Sequence, residues 1–202
     1  MNSKQPNRVR TAFSGPIQWF SCSFSLFIRH NLPLFTNDAS ICQEFDRDSR
    51  RHALIRPANR DDVDRLAAIA RAAYLIYVSR IGKEPAPMVA DFAALIAEGK
   101  VWVVGDTAVD GFIVMFEQND ALQVDNVAVD PSQHGNGFGG QLLDFAEAEA
   151  RKRQISKITL YTNVLMSENL SFYPSLGYRE IGRRKEDGFD RVYFSKSLFQ
   201  RA

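Results

Sequence analysis

The sequence is short of the residues that thiol chemistry and metal centres require. It has two cysteines in 202 residues, Cys22 and Cys42, both in the first quarter of the chain. The remainder therefore has no cysteine nucleophile, disulfide or thiolate metal site, which fits a reducing, cytoplasmic compartment. Of three histidines, only His134 lies well inside the patterned region. We therefore expect no zinc site of the histidine–cysteine type, and no metal.

The sequence also lacks an excess of one charge and any long apolar run. Lysine and arginine number 25 and aspartate and glutamate 24, which leaves a net charge of +1. That balance gives no reason to expect a nucleic acid or an anionic membrane as partner. A bilayer-spanning helix would need about 20 consecutive apolar residues, and no such run is present. The hydrophobic content of 45% is nevertheless enough for a sizeable core.

The first 51 residues differ from the rest. They are rich in aromatic residues without a helical or strand period, and no acidic residue occurs before Asp38. A targeting peptide can have this composition, but no small-residue cleavage site follows the apolar stretch at 19–28. We predict a poorly ordered extension over residues 1–51 and one domain over 52–202.

The patterned region predicts alternating strands and helices. A strand at 53–57 is followed by a helix capped by Asn59. Turn signals separate the strands at 101–104, 109–116 and 122–129, which predicts an antiparallel meander. The remaining predicted helices lie at 88–97, after the glycine turn up to about 152, and at 167–177. The remaining predicted strands lie at 157–162, 178–185 and 191–197, the last two joined by a hairpin at 186–188.

A glycine-rich turn, Asp130-Pro-Ser-Gln-His-Gly-Asn-Gly-Phe-Gly-Gly140, joins the third meander strand to a helix. Glycines leave backbone N–H groups unshielded by side chains. These groups lie at a helix start, where donors are unpaired and the helix dipole favours anions. The turn therefore predicts a site for a phosphate-bearing ligand, and an enzyme rather than an interaction module.

The spacing Gly135-x-Gly137-x-x-Gly140 formally satisfies the dinucleotide fingerprint. That fingerprint belongs to a parallel βαβ unit with an acidic residue about 20 positions on. Here the preceding strands are predicted antiparallel, and the downstream positions 160–163 are not acidic. A P-loop would require Gly-Lys-Ser/Thr, which is absent. A turn without a ligand remains the alternative.

Three segments together resemble the Gcn5-related N-acetyltransferases. The strand at 124–131 is similar to the family's fourth strand, and His134-Gly-Asn-Gly-Phe-Gly139 stands where the family has Gln/Arg-x-x-Gly-x-Gly/Ala. Ser167-Glu-Asn-Leu-Ser-Phe-Tyr-Pro-Ser-Leu-Gly-Tyr178 resembles its late Asn…Phe-Tyr…Gly-Tyr segment. The likeness covers residues 53–198, and His134 departs from the usual Gln or Arg. It implies an α/β (α+β type) fold with helices on both faces of a mostly antiparallel mixed sheet, splayed between strands 4 and 5.

The resemblance implies a site for acetyl-CoA as cosubstrate. Pantetheine would pair with the backbone groups of Val127 and Val129 in the fourth strand, and the amides of the turn would hold the pyrophosphate. Asn169 would bond CoA, although a helix cap is an equal alternative for it. Tyr173 would be the general acid that serves the departing thiolate, with a packed core aromatic as the alternative. The implied CoA-binding residues are Val127, Ala128, Val129, His134, Gly135, Asn136, Gly137, Phe138, Gly139, Gly140, Asn169 and Tyr173.

The acceptor amine arrives protonated, with a pKa of about 10.4 if it is lysine-like. A carboxylate acting through water could remove the proton. Asp125 is the first candidate and Glu117 the second, and a solvated strand carboxylate is the alternative for each. The expected reaction is direct acetyl transfer to an amine of a small molecule or peptide. A non-catalytic acyl-CoA-binding regulatory domain is the alternative function, and a homodimer is left open.

Overall fold

A computed structural model of the protein describes residues 54–199. The extension predicted for residues 1–51 lies outside this range. The described residues form seven strands and four α-helices, joined by short 3-10 turns. The elements in chain order are β1 (Ile55–Pro57), α1 (Val63–Ile81), α2 (Phe92–Ala97), β2 (Val101–Val104), β3 (Gly111–Gln118), β4 (Ala121–Val129), α3 (Phe138–Lys152), β5 (Lys157–Asn163), α4 (Ser167–Ser175), β6 (Arg179–Glu186) and β7 (Phe189–Ser197).

The strands form one sheet in the order β1-β2-β3-β4-β5-β7-β6. All neighbouring strands are antiparallel except β4 and β5, which run parallel for only three residue pairs. The last of these pairs joins Val124 to Leu160, and beyond it the two strands have no ladder. The predicted mixed sheet, splayed between its fourth and fifth strands, is therefore confirmed.

Helices cover both faces of the sheet, as the sequence predicted. On one face α3 and α4 bury a core that includes Leu142, Leu160 and Phe194. On the other face α1 and α2 bury a smaller core around Leu66 and Phe112. No described helix is both long enough and apolar enough to cross a membrane.

A β-bulge changes the direction of the side chains along β4. Met115 pairs with Val124 and Val114 pairs with Asn126, so Asp125 is an extra residue with no partner on β3. Val124 packs in the α3–α4 core, whereas Asn126 is buried without belonging to it. The bulge therefore reverses which alternate positions of β4 face each core.

The predicted helix at 88–97 is wrong in its first half. A 3-10 turn covers Ala86–Val89, and α2 begins only at Phe92. Ala90 is extended, and the Asp91 carboxylate accepts a hydrogen bond from the Ala94 N–H at 3.0 Å. The capping aspartate therefore starts a new helix where the apolar pattern alone suggested a continuous one.

The start of α1 is fixed by a buried carboxylate. Asp62 accepts two hydrogen bonds from the Arg56 guanidinium, at 2.8 and 2.9 Å, and a third from the Asn59 N–H at 2.8 Å. The Asn59 side chain caps the same turn, as predicted. The side-chain hydrogen bond from Arg56 lowers the pKa of Asp62. This network ties β1 to the helix that covers one face of the sheet.

We expect Asp62→Asn to lower the free energy of unfolding at pH 7 by about 1–2 kcal/mol, because a charged hydrogen-bond acceptor is lost and Arg56 is partly exposed. Denaturant unfolding measures the change. Asp64→Asn is the matched control, since Asp64 is exposed and has no ion pair within residues 54–199.

The difference in unfolding free energy between wild type and Asp62→Asn is expected to depend on pH. Because the folded-state pKa is lowered, the stabilisation is present above the unfolded-state pKa of about 3.9 and is lost as the pH falls through the folded-state value. Wild type and Asp62→Asn should therefore begin to converge in stability near pH 4 and coincide only below the lowered folded-state pKa of Asp62. A difference that stays undiminished as the pH falls through that range would show that the charge of Asp62 is not the cause.

Candidate active site

A cavity of about 230 Å³ lies where β4 and β5 separate. The two strands provide its floor, and the other lining residues come from α1, the α1–α2 connection, α2, β3, α4 and β7. Its lining brings together residues from segments that are far apart in the chain. They include Tyr74, Asp125, Asn126, Val127, Tyr161, Thr162, Asn163, Asn169, Tyr173 and Arg191.

The edge of β4 beside this cavity has backbone groups that β3 does not use. The Asp130 N–H donates to the Asp110 carbonyl at 2.7 Å, so residue 130 is one of the β4 positions that hydrogen-bond to β3. In an antiparallel ladder, hydrogen-bonded positions alternate with positions that point away from the partner. Val127 and Val129 therefore direct their N–H and C=O groups toward the gap. These are the two residues whose backbone was predicted to pair with pantetheine.

The glycine turn lies beyond the end of β4, where the sequence placed it. Gly135 and Gly137 have φ angles of +85° and +81°, in the left-handed region that side chains disfavour. Gly137 is the N-cap of α3, so the N–H groups of Phe138, Gly139 and Gly140 have no partner within the helix. A Cβ atom at Gly137 would meet nothing within 4 Å, so the surface over the turn is open.

The turn is held by a carboxylate at its first residue. Asp130 accepts hydrogen bonds from the N–H and hydroxyl of Ser132 at 2.8 and 2.7 Å. Arg65 of α1 donates to the same carboxylate at 2.7 Å and to the Val109 carbonyl at 2.8 Å. The hydrogen bonds from Ser132 are the main cause that lowers the pKa of Asp130. The charged carboxylate thus joins the turn to α1.

His134, where the sequence departs from the usual Gln or Arg, reaches back toward β4. Its Nε2 lies 3.2 Å from the Val129 carbonyl oxygen, and the ring is exposed. With Nε2 protonated, the imidazole donates to that carbonyl. His134 therefore occupies one of the acceptors on the open edge of β4.

Tyr173 reaches the cavity from α4. Its ring packs against Phe172, Tyr178 and Phe194, and its side chain is 6% exposed. Within residues 54–199 its hydroxyl makes no hydrogen bond, although it borders the cavity. Burial raises the pKa of Tyr173 well above its ordinary value. The residue is thus both a packed aromatic and a hydroxyl facing the open space.

Asn169 also faces the cavity, and it does not cap α4. The N-cap position is Met166, which makes no side-chain capping bond. Asn169 instead donates from Nδ2 to the Thr162 hydroxyl at 2.9 Å. The cap alternative is therefore wrong, and within residues 54–199 the Oδ1 atom of Asn169 has no hydrogen-bond partner.

Asp125 lies at the point where the strands part. The Tyr161 hydroxyl donates to its Oδ1 at 2.9 Å, so a side-chain bond replaces the backbone ladder one residue beyond Val124 and Leu160. Burial is the main cause that raises the pKa of Tyr161, followed by the Asp125 charge. On the neighbouring position Asn126 is buried and accepts a hydrogen bond from the Tyr74 hydroxyl of α1 at 2.6 Å.

The structure does not bring Glu117 to this cavity. Glu117 lies near the β3–β4 turn, and its carboxylate is 3.4 Å from the Arg153 guanidinium at the end of α3. Three further residues at the site, Tyr74, Tyr161 and Arg191, were not predicted from the sequence. Alternation along β5 could have indicated Tyr161, because it follows the buried Leu160 and must face the opposite side of the sheet.

Within residues 54–199 no group of three or more histidine, cysteine, aspartate or glutamate side chains is arranged to hold a metal ion. The polar groups at the cavity are backbone amides and carbonyls, tyrosine and threonine hydroxyls, carboxamides, one carboxylate and one guanidinium.

Comparison with known proteins identifies this architecture. Residues 97–180 match the family model "Acetyltransferase (GNAT) domain". Comparison with curated protein sequences gives no match.

Solved structures share the fold at low sequence identity. The ribosomal-protein-S18-alanine N-acetyltransferase from Escherichia coli is 19% identical with a TM-score of 0.59, over 74% of this chain and 96% of that one. The PaiA N-acetyltransferase from Thermoplasma acidophilum, in complex with coenzyme A, is 20% identical with a TM-score of 0.61, over 71% and 98%. Ard1 from Thermoplasma volcanium is 17% identical with a TM-score of 0.59, over 74% and 99%. Residues 97–180 are therefore similar to the acetyltransferase domain of the GNAT family, the Gcn5-related N-acetyltransferases, and residues 54–199 share the fold of these solved structures.

Proposed function

We propose that the domain transfers the acetyl group of acetyl-CoA directly to an amine. The observation that carries the proposal is the alignment of three features along one path. The glycine turn lies at the start of α3, and the unpaired edge of β4 leads from it to the cavity with Tyr173 and Asp125. This cavity lies at the fork of the sheet, the point beyond Val124 and Leu160 where β4 and β5 separate. The coenzyme A bound to the structural neighbour PaiA supports the choice of cosubstrate.

The described residues fit an acyl-CoA. Unpaired N–H groups at the start of α3 suit a pyrophosphate, and the positive φ angles bring the backbone to the surface without side chains. The N–H groups of Val127 and Val129 suit the amide carbonyls of pantetheine, in the manner of an added strand. Their own carbonyls are contacted by the Tyr74 hydroxyl at 3.4 Å and by His134 Nε2 at 3.2 Å, and pantetheine would have to share or replace these contacts. Asn169 would hold the same ligand from the other side of the gap.

Acetyl-CoA would supply an activated acyl thioester, and the chain's own groups would manage the protons. Tyr173 keeps its phenolic proton across the physiological range because burial raises its pKa. Full proton transfer to a thiolate with a pKa near 8.5 is uphill by at least about 2 kcal/mol even for an ordinary phenol. Tyr173 would therefore act as a hydrogen-bond donor to the leaving sulfur, or transfer its proton in concert with bond cleavage.

Asp125 would accept the proton of the acceptor amine, directly or through water. The bulge places its carboxylate at the fork, and the bond from Tyr161 to Oδ1 fixes its orientation while Oδ2 has no partner within residues 54–199. Tyr173 comes from the core of the α3–α4 face, whereas Tyr161 faces the opposite side. The donor for the leaving group and the base for the nucleophile would therefore approach the thioester from different faces of the sheet.

Replacing Tyr173 by phenylalanine tests the first role. We expect the turnover number to fall by about 10- to 100-fold, because the donor to the leaving sulfur is lost, with little change in CoA affinity. Steady-state kinetics and calorimetry measure the two quantities. Tyr178→Phe is the matched control, since the Tyr178 hydroxyl is also buried without a partner but does not line the cavity. Equal turnover of both variants and wild type would contradict the role.

Replacing Gly137 by glutamate tests the anion site. We expect CoA affinity to fall by at least about 100-fold, because a negative side chain would stand over the unpaired amides of α3. Gly99→Glu is the control, since Gly99 also has a positive φ, +68°, and open space around it, but lies away from the turn. Calorimetry with CoA should show wild-type affinity for the control. Wild-type affinity in both variants would place the pyrophosphate elsewhere.

Replacing Asp125 by asparagine tests the base. At pH 7 we expect kcat/KM for an amine to fall by about 10- to 100-fold. The loss should narrow near pH 10, because an amine with a pKa of about 10.4 is then about 30% free base, against less than about 0.1% at pH 7. Asp120→Asn, in the exposed β3–β4 turn, is the control. A loss that stays constant with pH would indicate that Asp125 acts only in binding or structure.

A further inference from the structure

We propose that the acceptor is a primary amine with a single positive charge, carried on an uncharged and apolar body. The inference rests on the proposed function and specifies its substrate class. It concerns the half of the cavity beyond Asp125, away from the glycine turn. If the thioester reaches the fork along Val127 and Val129, the acceptor must arrive from this other half.

The walls of this half are apolar. The end of α1 contributes Ile81, the α1–α2 connection contributes Pro85, Ala86, Pro87 and Ala90, and the β6–β7 hairpin contributes Phe189. None of these side chains can hydrogen-bond or balance a charge. A body that makes contact here therefore loses its hydration without receiving polar partners in return.

Among the described residues that line the cavity, Asp125 is the one carboxylate and Arg191 the one cation. The ammonium of an acceptor would therefore be drawn to Asp125. Arg191 is already occupied, because it donates to Glu186 at 3.1 Å and to Asp187 at 3.2 Å. Its guanidinium also stacks over the Tyr161 ring, 4.5 Å from the ring centre. The cavity thus offers one partner for a positive charge and no unoccupied partner for a negative one.

A roof limits the size of the body. The Lys83 ammonium donates to the Asp187 carbonyl at 2.7 Å and lies 3.4 Å from the centre of the Phe189 ring. It thereby joins the α1–α2 connection to the β6–β7 hairpin above the cavity. Beside it, Arg80 at the end of α1 pairs with Glu168 of α4 at 2.8 Å. An apolar chain or a single ring fits this enclosure better than a branched polycation.

Three amines that differ only at the end remote from the reacting amine test whether the acceptor body must be uncharged. Hexylamine ends in a methyl group, 1,6-diaminohexane in a second ammonium and 6-aminohexanoate in a carboxylate. We expect kcat/KM for hexylamine to exceed both others by at least about tenfold, since a buried distal charge would be unpaired. Equal rates, or a preference for either charged acceptor, would overturn the inference.

A new carboxylate in the apolar wall should shift the substrate preference from hexylamine toward the diamine. Ala86→Glu adds a partner for a distal ammonium, so we expect the ratio of kcat/KM for the diamine over hexylamine to rise by at least about tenfold. Ala93→Glu is the control, since Ala93 is exposed on α2 and does not line the cavity. An unchanged ratio in Ala86→Glu would contradict the placement of the acceptor body.

The same chemistry occurs in small apolar amines and in peptides with an apolar first residue. Phenethylamine and Phe-Gly-Gly amide, assayed side by side, distinguish the two sources, and the roof favours phenethylamine.

Calorimetry with acetyl-CoA distinguishes failure of the proposed function from failure of the inference about the acceptor. Absence of acetyl-CoA binding would overturn the proposed function. Binding of acetyl-CoA without transfer to any of these amines would overturn the inference about the acceptor.

Discussion

The site depends on the separation of two parallel strands after only three residue pairs. A buried sheet normally keeps its ladders closed, because unpaired backbone groups are costly away from water. Here the bulge at Asp125 turns β4 away from the register it would need to continue beside β5. The hydrogen-bonding capacity released by that separation is what a ligand with its own amides can use.

The surrounding side chains keep the separated strands in place without closing the gap. Tyr161 bridges to Asp125 across the fork, and Tyr74 satisfies the buried Asn126 from α1. Further along, Arg65 connects α1 to Asp130 at the first residue of the glycine turn. Helix α1 therefore supports both ends of the open edge, and the Arg56–Asp62 network at its start fixes that helix to β1. Stability and site geometry share the same helix.

Much of the fold could be predicted because its signals are local. The alternation of apolar and polar residues, together with turn residues, predicted the bounds of every described strand to within two or three residues. The glycine turn and the Tyr173 segment were recognised as motifs. The bulge at Asp125 was not, since it depends on the register between two strands rather than on either one. The division of the predicted helix at 88–97 was missed because Asp91 was not recognised as a cap. Tyr74 and Arg191 reach the cavity only through tertiary packing.

The roof over the acceptor half is built from contacts that belong to neither core. Lys83 holds the hairpin through one carbonyl and one aromatic ring, and the neighbouring Arg80–Glu168 pair is exposed. Breaking these contacts leaves the two hydrophobic cores intact, so the free energy of local opening is set independently of global unfolding. Amide hydrogens at the tip of the β6–β7 hairpin would then exchange with solvent through local opening of the hairpin. Those of β3 and β4 would exchange with solvent only through unfolding of the domain. Under the proposed function, an acceptor could then enter and a product leave through a local opening that does not require unfolding of either core.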